Sequence, residues 1–130
     1  MTVNEVNARQ FYIGKSFFPH GDSIEITSVR RTKEQLAVRG RYNLVSTDRA
    51  VLALYITSDA EPAPFDEKQS MEISNGRGNF ELINPHLYPG LPHVTMYSTG
   101  TNGASFAGVY FGNKDEAAEE RHLPPSDVAN

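Results

Sequence analysis

The feature that most constrains the fold of this chain is the alternation of apolar and polar residues at a period of two. Ile24 and Ile26 alternate with polar neighbours, and the same pattern runs from Leu36 to Leu44, where Gly40 occupies one apolar position. A period of two places successive side chains on opposite faces of a β-strand. Both segments are therefore predicted to be half-buried strands, joined by a polar hairpin loop over residues 31–35.

Two further segments have strand-like patterns. Ala50 to Thr57 is apolar on both faces, which is typical of a central strand covered on both sides, and residues 46–49 before it are predicted to form a turn. Phe11 to Phe18 is predicted to be another strand, with a bulge or bend at Gly14.

Asn75-Gly76 predicts a tight hairpin turn, because a type I′ turn needs positive φ at both central residues and Asn and Gly tolerate it. With a two-residue turn at this point, Met71 is expected to pair with Phe80. This register places apolar residues beside apolar ones and polar residues beside polar ones, which supports the prediction.

Asn102-Gly103 predicts a second hairpin by the same reasoning. A two-residue turn here would place Tyr97 opposite Gly108, so that the aromatic ring covers the bare glycine. The same register would place Thr95 opposite Tyr110 and Val94 opposite Phe111.

Short strands joined by hairpins, with no helical period before the last twenty residues, predict an all-β fold. We expect an antiparallel, immunoglobulin-like sandwich of about seven or eight strands, with a small barrel as the alternative. One domain is expected over residues 1–112, frayed over residues 1–9. The acidic tail, 113–130, is expected to form a short helix or to be disordered. The pattern resembles that of the immunoglobulin-like accessory modules found in many bacterial proteins.

The charge and cysteine content restrict the function. The chain has 130 residues, no cysteine and a formal charge of −4, so it has no general attraction to nucleic acid or to anionic membranes. Disulfides and thiolate metal sites are excluded. The first ten residues lack the apolar run of a signal peptide, and no stretch approaches about 18 apolar residues. We therefore predict a cytoplasmic protein without a membrane segment, provided that no leader was trimmed.

A basic cluster stands out against the acidic composition. Arg39 and Arg41 alternate with the apolar face of their strand, so both are predicted to point to solvent, near Arg31 and Lys33. Such a basic face fits a protein partner with an acidic surface. The alternative is a solvated face whose charges prevent aggregation at the sheet edge. Free sheet edges also offer a route to a homo-oligomer.

Several side chains have the chemistry of metal ligands. His20, Asp22, His86 and His93 would suit zinc if the fold brought them together, but none has the His-x-His spacing of a strand-based pair. The acidic loop over residues 59–67 lacks the residue order of a calcium-binding loop. No cofactor is therefore predicted.

No catalytic motif is present, because no serine lies in a nucleophile elbow and no glycine-rich stretch continues as a phosphate-binding loop. Tyr88 is the aromatic ring most expected to be exposed, but the lack of tryptophan argues against a carbohydrate platform. The leading prediction is a non-catalytic interaction module that binds another protein through loops or the basic face, and not an enzyme. The alternative is a metal or small-molecule site, enzymatic or not, in the histidine-bearing loops.

Overall fold

The structure, a computed structural model, describes residues 11–57, 67–85, 90–99 and 103–112. Within these ranges the chain forms six strands and one 3₁₀ turn, and it contains no α-helix. All neighbouring strands pair antiparallel, which confirms the all-β, antiparallel prediction. The strands are β1 (Tyr12–Phe17), β2 (Ser23–Arg31), β3 (Leu36–Thr57), β4 (Ser70–Asn84), β5 (Leu91–Tyr97) and β6 (Ser105–Gly112), and the 3₁₀ turn is Glu67–Gln69.

The six strands form one sheet in the order β1-β6-β5-β3-β2, with β4 on the other side of β3. The first half of β3 pairs with β2 and the second half with β5, while β4 pairs with both halves. The sheet curls like a half-barrel, which brings β2 close to β6. An immunoglobulin-like sandwich of seven or eight strands is not confirmed, because the described strands belong to this one sheet.

Strands β3 and β4 form a long ribbon that bends in its middle. Between the pairs Leu44–Gly76 and Arg49–Ser74, β3 has four residues where β4 has one. Extra residues on one strand form a bulge, which bends that strand and increases its twist. The turn predicted over residues 46–49 is therefore wrong, because the chain bends there within one continuous strand.

The same bend replaces the hairpin predicted at Asn75-Gly76. Gly76 has the expected positive φ, 115°, but Asn75 does not, so these residues do not form a type I′ turn. The Asn75 side chain instead donates a hydrogen bond from Nδ2 to the carbonyl oxygen of Thr47, 3.1 Å away across the bulge. Met71 and Phe80 consequently lie on one strand, β4, and the predicted pairing between them is wrong.

The hairpin predicted at Asn102-Gly103 is present, but its register differs by two residues. Thr95, and not Tyr97, lies opposite Gly108. The reason is that β5 and β6 are connected through residues 98–104 and not through a two-residue turn. A shift of two residues keeps every side chain on its predicted face, so the apolar rows of both strands still face the core.

Three other predictions are confirmed. β2 and β3 form the predicted hairpin. Residues 50–57 lie inside the sheet, where β5 pairs with residues 51–57 and β4 pairs with residues 50–53 on the other side. β1 has a bulge in the stretch that contains Gly14. The predicted acidic tail, 113–130, and residues 1–9 lie outside the described residues.

The curled sheet encloses a core of apolar side chains from both of its halves. Two glycines make room for aromatic rings across the β3–β4 ladder. Gly40 lies opposite Phe80, and a Cβ atom at Gly40 would lie 2.6 Å from Cζ of that ring. Two residues further along, Tyr42 covers Gly78 in the same way. The large, fully buried side chains include Leu36, Leu44, Leu52, Leu54, Ile73, Leu82, Met96, Tyr110 and Phe111.

Candidate binding surface

The side chains of β2, β3 and β4 that point away from the core form a polar surface, which we call the outer face. It follows directly from the alternation along each strand, since the other set of side chains is buried. Pairing across the three strands aligns these side chains in rows. The rows are Ser23, Asn43 and Arg77; Glu25, Arg41 and Asn79; and Ser28, Arg39 and Glu81.

The predicted basic residues on this face are interleaved with glutamates from the neighbouring strands. Arg39 Nε donates a hydrogen bond to Glu81 Oε2 at 2.7 Å. Arg41 Nη1 lies 3.7 Å from Glu25 Oε1. All four side chains are more than half exposed, as predicted for the two arginines, so these ion pairs contribute little to stability. The outer face is therefore mixed in charge and not uniformly basic.

A groove of about 370 Å³ opens on the outer face, and we call it the polar groove. Arg41 and Arg77 are diagonal neighbours in it, because Arg41 pairs with Asn79 and Arg77 pairs with Asn43. Diagonal neighbours on antiparallel strands are about 7–8 Å apart, within reach of long side chains. Two guanidinium groups and two carboxamide groups thus share one groove. The lining residues are Ser23, Glu25, Arg41, Tyr42, Asn43, Arg77, Gly78 and Asn79.

Arg77 differs from the three arginines of β3. Among the described residues, it has no carboxylate within ion-pair distance, whereas Arg39 and Arg41 each have one and Arg49 lies 3.9 Å from Glu72. Arg77 was not predicted to be a site residue, because the hairpin predicted at Asn75-Gly76 placed it beside a turn. The available signal was an alternation along β4, in which the exposed Arg77, Asn79 and Glu81 precede or flank the buried Phe80 and Leu82.

The other two predicted basic residues, Arg31 and Lys33, lie at the closed end of the β2–β3 hairpin. Arg31 is half-buried and Lys33 is exposed. The Thr32 hydroxyl accepts hydrogen bonds from the N–H groups of Glu34 and Gln35, which shapes this loop. Neither basic residue lines the polar groove.

Asp22, one of the predicted metal ligands, holds the bend of β3. Its carboxylate accepts hydrogen bonds from the N–H groups of Val45 and Ser46, at 2.7 and 3.0 Å, and from the Ser46 hydroxyl at 2.6 Å. Burial alone would raise the pKa of Asp22. The hydrogen bonds from Ser46 and Val45, together with the nearby His20, outweigh burial and lower the pKa below its ordinary value.

His93 lies in an aromatic cluster on the other half of the sheet. Its ring centroid is 4.9 Å from that of Tyr110 and 6.1 Å from that of Tyr55. Its Nδ1 lies 2.6 Å from Thr95 Oγ1. Burial lowers the pKa of His93 to about 4, so the imidazole is neutral at neutral pH. Burial also raises the pKa of Tyr97, which stacks edge-on against Tyr55 at 5.8 Å.

The described residues do not gather the predicted metal ligands at one point. His20 is an exposed neighbour of Asp22, while His93 is buried among tyrosines. Across residues 11–57, 67–85, 90–99 and 103–112, no three histidine, aspartate or glutamate side chains are grouped so that they could hold an ion. His86 and Tyr88 lie outside the described residues, so a site that includes His86 stays a prediction.

No known family model, curated protein or solved structure matches this chain. In the part of the chain that the structure describes, no helix is long and apolar enough to cross a membrane. In the polar groove, charged and amide side chains converge on one open depression.

Proposed function

We propose that the protein is a non-catalytic binding module, and that it binds another protein through the outer face of β2, β3 and β4. The observation that carries the proposal is the arginine pair of the polar groove. Arg77 has no carboxylate partner among the described residues, and Arg41 lies 3.7 Å from Glu25, which is long for a hydrogen-bonded ion pair. Guanidinium groups without a closely bound carboxylate present a fork of N–H donors to an incoming partner.

The lining of the groove supports binding more than catalysis. Catalytic groups usually have strongly shifted pKa values, because burial and charged neighbours tune them to their task. The described groups with shifted pKa values are Asp22, Tyr55, His93 and Tyr97, and none of them lines the groove.

The charge pattern supports a protein partner over nucleic acid. A phosphate backbone favours a run of uncompensated positive charges. On the outer face, Arg39 and Arg41 are each followed across the ladder by a glutamate, which would repel neighbouring phosphates. A partner with both acidic and polar side chains matches this surface better.

A metal or small-molecule site in the histidine-bearing loops is the alternative. The contacts of Asp22 and His93 do not favour it, since the oxygens of Asp22 already accept three hydrogen bonds and Nδ1 of His93 contacts Thr95. A cytoplasmic location, an immunoglobulin-like classification and a homo-oligomer formed through sheet edges stay predictions.

Site-specific photo-crosslinking tests the proposal in the cell that produces the protein. A photoreactive amino acid at Asn79 lies in the groove, and the same amino acid at Ser16 lies on the exposed part of β1 as a control. We expect one defined protein adduct from position 79 that is absent from position 16. Identical adducts from both positions, or none from position 79, would contradict the proposal.

A further inference from the structure

We infer that the polar groove binds a carboxylate side chain of an extended acidic peptide segment, and that Arg41 and Arg77 hold this carboxylate between them. The inference rests on the proposed function and names the chemistry of the partner at that site. It follows from the arrangement of four side chains on two adjacent strands, from the charge beside them and from the size of the groove.

The two arginines provide the anion-binding element. Arg41 on β3 and Arg77 on β4 are diagonal neighbours that point to the same face of the sheet. A guanidinium group binds a carboxylate through two parallel N–H···O hydrogen bonds, and this planar geometry is specific for carboxylate and phosphate groups. Two such groups on one side of a groove can donate to both oxygens of one carboxylate.

Two asparagines occupy the other diagonal of the four positions that the two arginines share on β3 and β4. Asn43 pairs with Arg77, and Asn79 pairs with Arg41, so arginine and asparagine alternate at the four corners. A carboxamide has two N–H donors and one carbonyl acceptor, which is the set that a peptide group needs. These four side chains therefore match a carboxylate that is flanked by peptide groups better than they match a free anion.

Glu25 limits the charge that the groove accepts. Its carboxylate lies 3.7 Å from Arg41 and lines the same groove. A dianion such as phosphate is repelled by this carboxylate more strongly than a singly charged carboxylate is. Glu25 also offers acceptors to the N–H groups of a bound peptide. Acidic peptide is therefore favoured over a phosphorylated one.

The size of the groove fits a short segment. Its volume of about 370 Å³ is at the lower end of the range of about 300–1,000 Å³ that is usual for ligand sites. A few residues of an extended chain fill such a space. The groove thus suits a peptide segment of a larger partner, presented as a loop or a tail.

Titration of the isotopically labelled full chain by NMR tests this inference. The probes are a capped peptide in which glutamates alternate with glycines, the matching glutamine peptide, and inorganic phosphate. We expect the glutamate peptide to shift the side-chain signals of Arg77, Asn43 and Asn79 in a saturable way. The glutamine peptide is expected to bind about tenfold more weakly or worse, because it lacks the charge-assisted hydrogen bonds.

Two variants make the test specific to the groove. Arg77→Gln is expected to weaken binding of the glutamate peptide about tenfold. Arg49→Gln makes the same charge change at an exposed arginine outside the groove, and is expected to leave the affinity unchanged. Both residues are exposed, so neither replacement should disturb folding.

Equal binding of the two peptides, equal effects of the two variants, or tighter binding of phosphate would overturn the inference. If no peptide binds but the adduct from position 79 still forms, the carboxylate inference fails and the proposed function stands. If the adduct is also missing, the proposed function fails with it.

Discussion

The side chain of Asn84 donates a hydrogen bond from Nδ2 to the backbone oxygen of Leu54, 3.3 Å away. These residues belong to opposite ends of the β3–β4 ribbon. Asn84 pairs with Leu36 at one end, while the ladder at the other end stops one residue before Leu54. Gln69 donates to the same oxygen at 3.1 Å, and both amides are buried. Two side-chain amides therefore join the ends of a ribbon that has curled on itself.

Replacing Asn84 and Gln69 tests whether their side chains hold the two ends of the ribbon together. We expect Asn84→Ala or Gln69→Ala alone to lower the free energy of unfolding by about 1–2 kcal/mol, since one donor to Leu54 remains. The double variant removes both side-chain donors and should cost more than the sum of the single replacements. Urea unfolding of all four proteins measures the coupling. Strictly additive losses would show that the two amides do not act on one acceptor.

The close contact at Gly40 predicts a severe effect of a single methyl group. A Cβ atom there would clash with the carbonyl oxygen of Glu25 and with the ring of Phe80, within the β2–β3 and β3–β4 ladders. We expect Gly40→Ala to cost about 3 kcal/mol or more.

Gly103→Ala is the matched control for this replacement. Its Cβ would have no neighbour within 4 Å, so only the left-handed backbone, φ +54°, opposes it. That strain costs about 1–2 kcal/mol. Thermal unfolding compares the two variants with the unaltered chain, and similar losses of stability would contradict the packing at Gly40.

The hydrogen bonds to Asp22 predict a loss of stability in acid. Because the pKa of Asp22 in the folded protein lies below its ordinary value of 3.8, the unfolded state takes up the proton first as the pH falls. The stability that the ionised Asp22 contributes is complete above pH 3.8. It disappears as the pH falls through the lower pKa of Asp22 in the folded protein. Asp22→Asn should cost about 1–3 kcal/mol at neutral pH and should flatten the stability profile in this acidic range. Denaturant unfolding measured against pH compares this variant with the unaltered chain, and parallel pH profiles of the two would contradict the prediction.

His93 predicts a second pH dependence at higher pH. Its pKa falls from 6.5 to about 4 on burial, so only the unfolded state is protonated between these values. The stability that the neutral, buried His93 contributes is complete above pH 6.5, and it declines by about 3 kcal/mol as the pH falls to about 4. We expect His93→Gln to remove this slope and Asp22→Asn to retain it. Denaturant unfolding across this range gives the slopes, and equal slopes with and without His93 would count against the prediction.

Alternation was sufficient to predict β2 and the first half of β3, because one buried face imposes a period of two on the sequence. It did not predict that β3 continues through residues 45–49 as one strand. Residues 46–49 have turn chemistry, yet the Asp22 carboxylate binds the N–H groups of Val45 and Ser46 and holds the chain as a bulge. That contact joins residues more than 20 positions apart, and no local pattern reports it.

The polar groove was hidden for the same reason. Arg77 lies beside Arg41 only because β4 continues through Asn75-Gly76, where local turn chemistry predicts that the chain reverses. The glutamates that pair with the basic residues were equally hidden, since Glu81 is 42 residues from Arg39. Local propensity thus described the strands, while the site depended on contacts between distant segments.

The salt dependence of binding to the crosslinked partner is the most direct test of the claim that the outer face binds through Arg41 and Arg77. Isothermal titration at increasing salt compares the unaltered chain with the double variant Arg41→Gln, Arg77→Gln and with Arg49→Gln. We expect the double variant to lose about tenfold or more in affinity and most of the salt dependence, because screened charges no longer contribute. Arg49→Gln should retain both. An unchanged affinity and an unchanged salt dependence in the double variant would contradict the account.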